Sequence, residues 1–128
     1  MPAAWIRNLL WIDGTGGLVV GLAVLAVFRP LAELYGLPAN LILTFAIANL
    51  TYGSAALLLA RQRVRPAVLI AAMASANVAW GVVCGVTLAL YARTTGVLGA
   101  AHLVVEGAYV VALGALEWRH RHALRARN

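Results

Sequence analysis

The chain has 128 residues, 63% of them hydrophobic and only 11% charged, with a mean hydropathy of +0.88. Soluble domains carry about 25% charged residues, so this composition excludes an ordinary water-exposed globule and points to lipid as the solvent. The length admits one domain over 1–128, and the net charge of +6 sits in short stretches beside apolar runs, which fits a bilayer with anionic headgroups and argues against nucleic acid.

Segment one spans about 9–28, after the Trp-bearing start "MPAAWIRN". Asp13 and the glycines of "DGTGG" interrupt its apolar run, which argues against a cleaved signal peptide. "RPLAELYGLP" then reads as a short interfacial amphipathic turn at 30–36, where Arg29 and Glu33 stand four apart and can pair if the turn is helical. Segment two spans about 40–60 and stops at "RQRVRP", whose Pro66 suits the first turn of a new helix. Segment three spans about 67–91 and "ARTTG" leads into segment four, about 97–117. The tail, 118–128, is basic and reads as solvated and cytoplasmic. Each span has the ~20 residues that cross a ~30 Å hydrocarbon core. Barrel-type alternation is absent, so the fold class is all-α, an integral bundle of four transmembrane helices.

Four crossings put Arg7, Arg61, Arg63, Arg65, Arg119, Arg121, Arg125 and Arg127 on one side and only Arg29 and Arg93 on the other. That asymmetry predicts an inner-membrane, multi-pass protein with both termini cytoplasmic. Arg61, Arg63, Arg65, Arg119, Arg121, Arg125 and Arg127 are the expected headgroup contacts.

Polar residues recur at mid-span. Asn49, Asn77 and Glu106 fall near the centres of segments two, three and four, which predicts one polar layer at a common depth. "NLTYG" and "NVAWG" both read Asn-x-x-aromatic-Gly, and Tyr109 follows Glu106 by three, so Tyr52, Trp80 and Tyr109 share faces with the polar groups. His102 lies one turn from Glu106, and the two can share a proton. Asp13 sits within about a turn of the expected boundary, where it can be wet. Gly17 with Gly21, and Gly81 with Gly85, are Gly-x-x-x-Gly motifs that let helix backbones approach closely, within one chain or between copies.

No catalytic constellation appears, and an enzyme is not indicated. One cysteine, Cys84, excludes an intrachain disulfide, and too few ligands share a depth for a metal or haem, so no cofactor is expected. Four spans with an acid in the first resemble the small multidrug resistance transporters in outline. The glycine- and proline-bearing signature of their second span is missing from "NLTYGSAALLLA", and the main buried acid is on the fourth span, so no family follows. Two readings remain. One is a membrane-embedded binding or assembly module whose glycine faces recruit a second copy or another membrane protein. The other is a small proton-coupled carrier of a cationic or amphipathic molecule, dimeric or larger, with Glu106 as proton site and the aromatics lining its path.

Overall fold

The computed structural model describes residues 3–126. A short helix, α1 (Ala4–Arg7), precedes four long ones: α2 (Leu9–Tyr35), α3 (Ala39–Arg61), α4 (Ala67–Leu90) and α5 (Val97–Arg119). A 3₁₀ turn at Ala123–Arg125 closes the described chain. All four long helices have the length and composition to cross a membrane. Their outer faces carry exposed apolar side chains such as Leu22, Ile47, Leu58, Val82, Leu90 and Val105. Large apolar side chains turned outward on every helix are what a lipid-facing bundle presents.

The helix ends follow from local chemistry. Pro38 and Pro66 stand at the N-caps of α3 and α4, where a missing N–H removes no helical bond. Segment one continues further than its apolar run suggested: the amphipathic stretch at 30–36 is the last part of α2. Pro30 lies inside that helix, and Val27 leaves helical geometry at φ −128°, ψ 23°. Pro30 lacks an N–H for Ala26, and its ring crowds that carbonyl, so the backbone kinks just before it. Gly36 ends α2 at φ 68°, ψ 34°, and the Leu37 N–H donates to the Ala32 carbonyl at 3.0 Å. That is a Schellman-type end. The Arg29–Glu33 pair does not form despite the helix; the Arg29 guanidinium lies over the Phe28 ring instead.

α2 and α3 pack as one hairpin and α4 and α5 as a second, with α2 also touching α5. The close approaches are made by glycine. A Cβ on Gly17 would lie 3.0 Å from Gly53 Cα, and one on Gly53 would lie 2.6 Å from the Leu18 nitrogen. Gly81 and Gly107 make the matching approach between α4 and α5. Gly85, expected to pack like Gly81, faces open space. Apolar clusters close the bundle at both ends, with Leu10, Ile70 and Leu124 in one and Ala46, Cys84 and Leu103 in the other.

The tail departs from the solvated reading. Leu124 is fully buried, and Val64 and Ala126 form a β-bridge. Arg65 is only 1% exposed and cannot reach headgroups as expected. Its Nη1 donates to the Leu124 carbonyl at 3.0 Å and its Nη2 to the Ala60 carbonyl at 2.6 Å. Arg61, Arg63, Arg119 and Arg125 are exposed and Arg121 partly so, while Arg127 lies outside the described residues.

Candidate functional site

The polar side chains expected in one layer form two clusters. Glu106 centres the first. Its Oε1 accepts from Asn49 Nδ2 at 3.1 Å and from Trp80 Nε1 at 2.8 Å, and its Oε2 lies 2.6 Å from His102 Nε2. The second Asn49 amide hydrogen returns to the Phe45 carbonyl at 3.0 Å. His102 and Glu106 stand four apart on α5 and therefore share a face. With the Nε2 proton directed at Glu106, His102 Nδ1 accepts from the Tyr35 hydroxyl at 2.7 Å. A line of hydrogen bonds thus runs from the end of α2 to the middle of α5. The Trp80 indole is held edge-on against Phe45, with centroids 4.8 Å apart.

Asp13, Tyr52, Asn77 and Glu117 make the second cluster. Asn77 Nδ2 donates to Asp13 Oδ2 at 2.9 Å and to Glu117 Oε2 at 3.2 Å, and the Tyr52 hydroxyl donates to Asp13 Oδ2. Asn77 therefore bonds to neither Glu106 nor Asn49. Asp13, expected near water, is 3% exposed, and Glu117 is fully buried. Burial of Asp13 has a structural cause: α3 lies so close over Gly14 and Gly17 that Tyr52 caps the carboxylate.

A cavity of ≈ 460 Å³ lies between these clusters, with walls from α2, α3, α4 and α5. Asp13 and Asn77 line it from one cluster, and Asn49 and Glu106 from the other. Tyr52, Trp80 and Tyr109 supply aromatic wall. Gly16, Gly17 and small alanines supply room. Thr51, Ala55 and Ala76 are both lining and exposed, so the cavity opens sideways between α3 and α4. Those two helices do not pack along their length. A second, shallower groove between α2 and α5 reaches His102, Glu106 and Tyr109.

The structure thus brings Asp13, Asn49, Tyr52, Asn77, Trp80, Glu106 and Tyr109 to one cavity and holds His102 behind Glu106. Sequence reasoning placed neither Glu117 nor Tyr35 at the site; Tyr35 suited the headgroup level, and its hydroxyl instead bonds to His102. Glu117 stands eleven residues after Glu106, about three turns, and so projects from the same face of α5. That spacing was a usable signal, obscured by the basic residues that follow. Among the described residues no group of three or more His, Cys, Asp or Glu side chains is placed to hold a metal ion. No protein-family model, curated protein or solved structure matches this chain.

Proposed function

We propose that this membrane protein binds a small amphipathic cation in the cavity between its four helices, with Glu106 supplying the counter-charge. One observation carries the reading: an apolar cavity of ligand size, walled by three aromatic rings, has two carboxyl groups in its lining, those of Asp13 and Glu106. Ligand sites are commonly concave, mostly apolar and fitted with a few placed polar groups. A carboxylate that accepts from three donors is compensated for leaving water and still presents negative charge to the cavity. Aromatic faces favour cations further. The lateral opening between α3 and α4 suits a molecule that partitions into lipid first.

Of the glycines behind the assembly reading, Gly17, Gly21 and Gly81 are engaged within the chain, and Gly85 is open. A carrier role is the natural extension, because carriers often bind near the bilayer midplane. We further place the arginine-rich end, with exposed Arg61, Arg63, Arg119 and Arg125, at the anionic cytoplasmic face of the inner membrane.

The test is equilibrium binding of benzyltrimethylammonium to the protein in lipid nanodiscs. Saturable binding is expected, with at least a ~10-fold loss, about 1.4 kcal/mol, in Glu106→Gln. The neutral isostere neopentylbenzene should compete poorly. Equal competition by the neutral compound, or unchanged affinity in Glu106→Gln, would remove the counter-charge role.

A further inference from the structure

The two polar clusters differ in how well their donors and acceptors match. Around Glu106, each carboxylate oxygen has a donor: two N–H groups at Oε1 and the imidazole at Oε2. Around Asp13 and Glu117, both amide hydrogens of Asn77 and the hydroxyl of Tyr52 are spent on Asp13 Oδ2 and Glu117 Oε2. Glu117 Oε1 is left buried without a donor among the described residues. The Glu117 and Asp13 carboxyls are brought together on one nitrogen, Asn77 Nδ2, at 3.2 Å and 2.9 Å. Buried oxygens are nearly always hydrogen-bonded, and an ionised carboxylate can only accept.

Among the described residues, the side chains that hydrogen-bond to this pair are not cations. Tyr52 comes from α3 and Asn77 from α4. Tyr109, from α5, lies within electrostatic reach of both acids. The imidazole of His102 contacts Glu106 and belongs to the other cluster. Two adjacent carboxylates without a counter-ion in a low-dielectric interior cannot both remain ionised. One hydrogen between them relieves the repulsion and supplies the missing donor.

We propose that Asp13 and Glu117 form a proton-binding pair that holds one shared proton at neutral pH and releases it when a cation occupies the cavity. Asp13 lines the cavity and Glu117 does not, so the pair joins the ligand site to a fully buried acid behind it. A cation arriving beside Asp13 stabilises its carboxylate, and the proton between the two carboxyls leaves to bulk water. Charge in the site is conserved: one positive charge enters and one departs. This inference rests on the cation-binding reading above and adds the exchanged partner.

Isothermal titration of benzyltrimethylammonium into the nanodisc-embedded protein, repeated at neutral pH in buffers of different ionisation enthalpy, counts protons directly. About one proton released per cation is expected for the unaltered chain, the macroscopic count for a pair sharing one proton. The count should fall towards zero in Glu117→Gln and persist in His102→Asn. Cation binding with no proton released by the unaltered chain would overturn the pair while leaving the cavity reading intact. So would a count that survives Glu117→Gln and vanishes in His102→Asn, which would assign the proton to the imidazole. Absence of cation binding would overturn both. An infrared carboxylic-acid band at neutral pH, present in the unaltered chain and diminished in Glu117→Gln, supports the shared proton independently. Its absence from the unaltered chain rejects it.

Discussion

At the scale of single residues, the sites most sensitive to change are those where geometry leaves one choice. Gly36 has a positive φ, and a Cβ there would run into the Thr94 carbonyl. Left-handed backbone costs an L-residue about 1–2 kcal/mol before any collision. Gly36→Ala should therefore lower the unfolding free energy by at least that much, read as a reduced midpoint in detergent. Trp80 is a second such site, because its ring packs on Phe45 and its N–H serves Glu106. Trp80→Phe keeps an aromatic wall and removes one donor. It should cost on the order of 1 kcal/mol and weaken cation binding far less than Glu106→Gln does. A larger effect on binding than that of Glu106→Gln would mean that the indole, not the carboxylate, holds the ligand.

Between elements, glycine sets how closely helices approach. Gly53 lies against the backbone of α2, whereas Gly85 faces open space. Gly53→Leu should force the α2–α3 hairpin apart and cost several kcal/mol, as overpacking at a backbone contact does. Gly85→Leu should stay within about 0.5 kcal/mol of the unaltered chain. Comparable losses at the two positions, measured by thermal unfolding, would show that Gly85 is covered in the membrane by another chain. The helices also explain why the repeated Asn-x-x-aromatic words misled. Hairpin after hairpin, α3 and α4 run in opposite directions, so the Asn of one word lies level with the aromatic of the other. Asn49 and Trp80 accordingly meet at Glu106, while Tyr52 and Asn77 meet at Asp13. Within each word the two residues are three apart, ~4.5 Å along the axis, and the expected single layer becomes two.

For the whole molecule, the tail behaves as a latch. Arg65 binds the Ala60 and Leu124 carbonyls, and the Arg65 N–H donates to the Arg125 carbonyl at 2.6 Å. With Leu124 drawn into the core, residues 120–126 cover the end of the bundle. Arg65→Ala should release this segment and expose it to trypsin after Arg119 and Arg121. Mass spectrometry of a limited digest would reveal the cuts, and unchanged resistance would argue that Leu124 alone seats the tail.

Hydropathy and residue spacing by themselves determined that the chain forms four apolar helices and roughly where they start and stop. Those properties are local: a span needs about 20 apolar residues, prolines and glycines punctuate it, and a polar group in lipid must be rare and placed. The existence and approximate bounds of the four helices were legible. Rotation about the axis and the pairing of helices were not, because they depend on contacts made only when Gly17 meets Gly53 and Gly81 meets Gly107. Only tertiary structure could therefore assign Asn77 to Asp13 and Glu117, turn a boundary-like Glu117 into a fully buried acid, and leave a cavity where the two hairpins do not close.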